Sequence, residues 1–315
     1  AGTGQVSVGT VIAVVLLLSS LFEPVQQLSQ LYNSLQSAGA SLNKMFEILD
    51  TRPEIEDAPD AVPAPSDGSI DVEHVTFAYP ATSQPVLRDV TLHVRPGERL
   101  AVVGATGSGK SSLAKLIARL YDADEGTVRI GGVDVRDITL ESLRREIVVV
   151  PQEGFVFGGS VADNLRLAAP DASDEQLWAA VRSIGVAERF EQLPEGLDTD
   201  VLERGGRLSA GERQLVALCR SALVDPSVLV LDEATSSLDP GTEQLVEGAL
   251  DALRARRTTV VVAHRISTVE RCDRVAVIDG GRLVELGPPA RLAEQGGAYA
   301  ALAAAWRADT ERRAG

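Results

Sequence analysis

Hydrophobic positions fall along this chain in distinct textures. Residues 6–22, VSVGTVIAVVLLLSSLF, carry no charge, and their length lies at the short end of what crosses a bilayer. Taken alone, the segment reads equally as a membrane span or as a helix buried in a core. Behind it, apolar side chains recur at Val25, Leu28, Leu31, Leu35, Ala38, Leu42, Met45 and Leu49, in steps of three or four. That is the narrow seam of a long amphipathic helix. An uncharged segment running into such a helix suggests a membrane helix projecting far into the cytoplasm; the alternative is a soluble helical hairpin or coiled coil.

The texture changes at residues 51–69, where Pro53, Pro59, Pro63 and Pro65 alternate with Glu54, Glu56, Asp57, Asp60 and Asp67. Proline denies this stretch a helix and stiffens it, and the acids are expected to keep it solvated, as in a domain linker. From Ile70 the chain reads as strand, Gly-rich turn and helix. The pattern predicts strands at 70–77, 87–94, 99–103, 147–150, 228–232, 259–262 and 274–279. It predicts helices at 110–120, 161–167, 174–184, 210–224, 242–253 and 299–307. Unbroken apolar runs such as VLVL (228–231) and TVVVA (259–263) suit strands buried on both faces. The expected fold is therefore α/β with a largely parallel sheet, interrupted from about residue 160 to 225 by a helix-rich stretch that reads as a subdomain.

Charge and composition narrow the function. The net charge is −15, which argues against nucleic acid as a partner. Cys219 and Cys272 lack metal-ligand spacing, and His74, His93 and His264 are scattered, so none of them suggests a metal site. The chain begins at Ala1, and its first basic residue is Lys44. No secretory signal is expected, since that requires a basic start, and the sequence reads as a fragment or processed product of something longer.

The chemistry is carried by Gly104-Ala105-Thr106-Gly107-Ser108-Gly109-Lys110-Ser111, which fits the P-loop pattern GxxxxGK[ST] between an expected strand and an expected helix. Glycines let successive backbone N–H groups curl around phosphate oxygens, and the following helix turns its positive end toward them. Lys110 would reach the β- and γ-phosphates and Ser111 would ligate Mg²⁺. Gly104, Thr106, Gly107, Ser108, Gly109, Lys110, Ser111 and Ser112 form the expected nucleotide-binding set. A second signal is VLVLDE (228–233): an apolar strand delivers carboxylates at its C-terminal edge, where α/β sheets bind ligands. Asp232 would hold Mg²⁺, and Glu233 is placed to orient and deprotonate the attacking water.

With these motifs in this order, the sequence resembles the ABC ATPase family. Tyr79, in FAYP (77–80), resembles the aromatic that stacks on adenine. Gln152, in VVPQE (149–153), resembles the Q-loop glutamine that contacts Mg²⁺ or the lytic water and senses the membrane domain. Leu208-Ser209-Ala210-Gly211-Glu212 resembles the signature LSGGQ, Ser236-Ser237-Leu238-Asp239 the D-loop, and His264 the switch histidine on γ-phosphate. The resemblance implies catalytic roles for Glu233, His264 and Gln152, a D-loop role for Asp239, and Mg²⁺ held by Ser111, Gln152 and Asp232. It also implies that the signature binds ATP held by a second ABC subunit, in a homodimer or heterodimer. Two departures stand out: Ala210 adds a Cβ near the nucleotide, and Glu212 places a negative charge near an anionic ligand.

The segment 23–50 is similar to the junction of exporter-type subunits, whose membrane domain precedes the ATP-binding domain, and Val201-Leu202-Glu203-Arg204-Gly205 resembles the exporter X-loop. The implied organisation is a last transmembrane helix and its cytoplasmic extension at 1–50, a linker at 51–69 and an ABC ATP-binding domain at 70–310. The implied function is ATP hydrolysis driving export of an unknown substrate. The implied location is a cell membrane, the bacterial inner membrane, with a multi-pass full-length protein and a cytoplasmic ATP-binding domain. Three other readings remain: an importer ATPase subunit, a soluble ABC protein of translation or repair, and a regulatory cassette that binds ATP without turnover. The uncharged segment disfavours the first, net acidity the second, and Glu233 with His264 the third.

Overall fold

A computed structural model describes residues 7–80, 82, 84–151, 154–232, 240–255, 257–263 and 265–314. The chain divides into two compact units, Ala1–Glu54 and Ile55–Gly315.

The first unit is built on one helix, α1 (Val8–Asp50), in which the uncharged and amphipathic segments are continuous. The Ser7 hydroxyl caps it, accepting from the Thr10 amide at 3.2 Å. Pro24 lies inside the helix, where it removes one ladder donor beside the first charge, Glu23. A rise of ~1.5 Å per residue over 43 residues gives a rod of about 65 Å. Its apolar side chains, Val11 to Phe22 included, are exposed, and the helix is long and apolar enough to cross a membrane. An open stripe of this size marks a helix that partners lipid or other helices.

In chain order the second unit begins β1 (Ile70–Phe77), β2 (Leu87–Val94), β3 (Arg99–Val103), α2 (Lys110–Ile117), β4 (Glu125–Ile130), β5 (Val133–Asp134), α3 (Leu140–Glu146) and β6 (Ile147–Val150). It continues through α4 (Val161–Arg166), α5 (Asp174–Ser183), α6 (Ala187–Glu191), α7 (Ala210–Val224), β7 (Val228–Asp232), α8 (Pro240–Arg254) and β8 (Thr258–Val262). It ends with α9 (Ile266–Glu270), β9 (Arg274–Asp279), β10 (Arg282–Gly287), α10 (Pro289–Glu294) and α11 (Ala298–Ala314). The larger sheet has the order β10-β9-β3-β8-β7-β6 and is parallel except for β10. Its central strands are apolar without alternation because both faces are covered; every residue of β8 is buried.

A second sheet, in the order β2-β1-β4-β5, is antiparallel. The sequence pattern predicted β1 and β2 of it but not β4 or β5, nor β10 at the edge of the larger sheet. β4 (EGTVRI) and β10 (RLVELG) interleave polar residues, and neither forms the unbroken apolar run of the central strands. α3, α6, α9 and α10 also went unpredicted, because five to seven residues are too few to establish a helical period. α2 stops at Ile117 rather than 120, since Arg119 takes φ 47°. There its buried guanidinium donates to the carbonyls of Ile138 (3.0 Å) and Glu56 (3.1 Å). The Pro/acidic stretch is more firmly tied than expected: Asp57 Oδ1 accepts from the Leu140 amide at 2.7 Å, Val62 bridges Ile138, and Asp67 accepts from the Ser69 amide.

Two cores flank the larger sheet. One packs α2 and the antiparallel sheet against one face; the other gathers α4, α5, α6, α7 and α8 against the opposite face. In α7, Leu215, Val216, Leu218 and Cys219 are all buried, each large apolar side chain contributing about 1.5–3 kcal/mol. Phe190, fully buried in α6, joins the same cluster as the partly buried Trp178. Phe190→Ala is expected to cost about 3–5 kcal/mol, read as a lower urea midpoint by Trp178 fluorescence.

Candidate nucleotide site

The C-terminal ends of β3, β6, β7 and β8 lie along one edge of the larger sheet: Val102 pairs Val262, Val262 pairs Asp232, and Leu231 pairs Val150. From that edge the chain leaves β3 and curls into α2. Gly104 takes φ +152°, and a Cβ there would lie 2.0 Å from the Ile278 carbonyl oxygen, so no other residue fits. Gly107 takes φ +80° and has no atom within 4 Å of its Cβ position, so the loop opens outward as a cradle.

Lys110 begins α2, and its Nζ donates to the carbonyls of Gly104 (3.0 Å) and Ala105 (2.9 Å). Burial lowers its pKa, while the negative charge of Asp232 acts in the opposite direction. The P-loop lysine and the acid at the end of β7 therefore share one electrostatic neighbourhood. Ser108 Oγ is buried without a hydrogen-bond partner among the described residues. Ser111 is exposed, whereas Ser112 is buried and its Oγ lies 3.0 Å from the Tyr79 hydroxyl.

Tyr79 sits in an aromatic cluster that motif reading missed. Its ring meets Phe77 and Tyr121 edge-on, with centroids 5.0 and 5.2 Å away, and Lys115 Nζ stands 5.4 Å from its centroid. The only sequence signal for Lys115 and Tyr121 is their place on and just after the P-loop helix. A cradle of backbone donors, an ammonium and an orphaned buried hydroxyl suit a polyphosphate. The Ser111 hydroxyl and the Asp232 carboxylate are hard oxygen donors of the kind Mg²⁺ takes, so the residues present fit a Mg²⁺-nucleotide. Gln152, Glu233, Asp239 and His264 lie outside the described residues, as do Ser236, Ser237 and Leu238. Next to Gln152, the Pro151 carbonyl accepts from Gln214 Nε2 of α7 at 3.2 Å.

The signature residues form the start of α7. Leu208 is buried; Ser209 and Ala210 are exposed. Ser209 is the N-cap: its Oγ accepts from the Glu212 amide at 3.2 Å, while Glu212 Oε2 accepts from the Ser209 amide at 2.7 Å. This reciprocal capping box occupies the acid that the sequence expectation left facing an anionic ligand. Glu212 is buried, and its Oε1 accepts from Arg189 Nη2 at 2.7 Å. Its charge is thus paired within the chain. Arg189 gave no motif signal, since it lies far from Glu212 in sequence. Among the described residues, no hydrogen bond joins 208–212 to 104–112.

Lys110→Ala is expected to weaken ATP binding roughly tenfold to a hundredfold, the worth of a charged hydrogen bond, measured by equilibrium dialysis. Because burial depresses the Lys110 pKa, its ammonium is lost at lower pH than that of a free lysine. Parental ATP affinity should therefore fall as pH rises through that depressed pKa, whereas Lys110→Arg should bind with a flatter profile across the same alkaline range.

The sequence matches the ABC transporter family profile over residues 87–236. It is 41% identical, over 94% of this chain and 49% of the relative, to the uncharacterized ABC transporter ATP-binding protein YknV of Bacillus subtilis. It is 41% identical to the beta-(1→2)glucan export ATP-binding/permease protein NdvA of Rhodopseudomonas palustris, over 96% of this chain and 50% of that protein. It is 40% identical to the ATP-dependent lipid A-core flippase of Chromobacterium violaceum, over 95% of this chain and 51% of that protein. A bacterial Atm1-family ABC exporter solved with ATP bound superposes with TM-score 0.77 and 36% identity, covering 96% of this chain and 53% of that one. The chain thus spans about half the length of the relatives it matches. With the cradle, the acidic strand end and the signature in place, the chain carries an ABC transporter ATP-binding domain and is homologous to fused exporter-type ABC proteins.

Proposed function

We propose that this chain binds and hydrolyses Mg²⁺-ATP as the power unit of a membrane exporter, two such units sandwiching two nucleotides. The observation that carries this reading is the division of the phosphate-binding parts. The cradle at Gly104–Ser112 and the capped signature at Leu208–Glu212 sit on different elements, with no hydrogen bond between them among the described residues. In this reading the signature of one chain faces the γ-phosphate held by the cradle of another.

Each residue then has a task. Tyr79 receives the adenine. The P-loop amides and Lys110 hold the β- and γ-phosphates, with Lys110 exchanging its two carbonyl partners for phosphate oxygens. Ser111, Gln152 and Asp232 hold Mg²⁺, which would neutralise charge developing on the phosphates. Glu233 takes the proton of the attacking water, and His264 steadies the γ-phosphate as it leaves. Ser209 and the first amides of α7 face the partner's γ-phosphate, and Asp239 takes the D-loop role.

Transmission to the membrane runs beside Gln152. Phe155 and Phe157 are exposed and packed edge-to-face with centroids 4.9 Å apart. Arg220 donates to the Phe155 carbonyl, and Asn164 holds the amide and carbonyl of Phe157. This braced apolar pair is an exposed surface suited to an apolar partner. In this reading α1 is the end of a membrane domain in the bacterial inner membrane, and the ATP-binding unit is cytoplasmic. The uncovered apolar stripe of α1 favours this over an importer subunit that docks on separate membrane proteins.

Glu233→Gln is expected to retain ATP binding and lose steady-state turnover by about 10²-fold or more, measured by phosphate release; turnover at the parental rate would remove Glu233 from the role of base. A fused subunit should also need detergent for extraction from membranes, and release by alkaline carbonate alone would favour the docking reading.

A further inference from the structure

We infer that Arg189 is a positioning residue for the signature: by pairing Glu212 it lets an acid-bearing helix start receive the γ-phosphate of a second copy. The inference rests on the composite-site reading above and adds to it a residue outside the recognised motifs.

The argument starts from charge. A carboxylate in the first turn of α7 is favoured by the helix end and closes the capping box. Left unpaired, it would also repel a polyphosphate arriving at the same helix end. Glu212 is buried, with a side chain only 8% exposed, so water cannot screen it fully. Arg189, from α6, supplies the missing positive charge at 2.7 Å, and its side chain remains 44% exposed. The pair leaves the helix start with a defined set of donors. The Ser209 amide is taken by Glu212 Oε2 and the Glu212 amide by Ser209 Oγ. The amides of Ala210 and Gly211 have no acceptor among the described residues. The Ser209 hydroxyl, accepting in the cap, keeps its proton to donate. Without Arg189 the carboxylate would be uncompensated and free to swing off the Ser209 amide, loosening the cap as it repels the phosphate.

The test uses the whole chain in detergent, carrying Glu233→Gln so that ATP is held. Two quantities are read for Arg189→Ala, Glu212→Gln and the double variant. One is binding of a fluorescent ATP analogue at protein concentrations too low for pairing; the other is the ATP concentration that drives self-association in the ultracentrifuge. Arg189→Ala is expected to leave the first within about twofold and raise the second roughly tenfold. That deficit should shrink between about 50 mM and about 500 mM salt, as screening shortens the reach of the unpaired charge. The double variant should behave like Glu212→Gln alone, and Arg189→Lys should recover most of the parental response. A merely structural staple would instead lower both readouts together, without salt dependence, and that result overturns the inference. So does ATP-driven association of Arg189→Ala at the parental concentration. If the parent itself fails to associate with ATP, the composite-site reading falls and this inference with it.

Discussion

A polyphosphate is too strongly hydrated to be held by any single side chain, so the fold must replace its water with many donors at once. In this chain that constraint is met where β3 gives way to α2. The backbone turns through Gly104, Gly107 and Gly109, all at positive φ, and α2 points its unsatisfied amides back at the turn. The buried parallel strands matter because they fix this turn against β8 and β9. The adjacent β7 fixes Asp232 within electrostatic reach of Lys110. Lys110 shows the tension in the design. It is partly desolvated and folded onto two carbonyls of its own loop, a cation held ready rather than neutralised.

The same physics recurs at the start of α7 in modified form. There the helix end is capped by its own Ser209 and Glu212, so fewer free donors remain than at the P-loop. A site of that kind is too sparse to hold a triphosphate alone and suits the completion of a site supplied from elsewhere. α7 is also the structural centre of its subdomain: it packs against α4, α5 and α8, and Gln214 and Arg220 reach the chain just before and just after Gln152. One helix thus starts at the signature and holds Pro151 and Phe155.

How much of this could be read from sequence depended on whether chemistry was carried locally. The P-loop is one contiguous run whose residue types are each demanded by phosphate, and β7 and β8 are apolar runs that only a buried parallel strand requires. Those were legible. β4 of the antiparallel sheet and β10 at the edge of the larger one were not, because both interleave polar with apolar residues, and the short α3, α6, α9 and α10 have no period to detect. Glu212 was visible as a departure, but its meaning was not: it depends on Arg189, twenty-three positions away, and pairings across a fold leave no local trace in one sequence. Likewise Tyr79 stands out in the sequence within FAYP, whereas Lys115 and Tyr121 around it belong to a cluster assembled only by folding.

The central claim is that one chain's signature completes another chain's nucleotide site. The most direct measurement is Mg²⁺-ATP turnover by the detergent-solubilised chain across a wide range of protein concentrations. Turnover per chain that rises with concentration and then saturates is the expected result, since each site needs two copies. Turnover per chain that stays constant down to concentrations where the ultracentrifuge shows only monomer would contradict it.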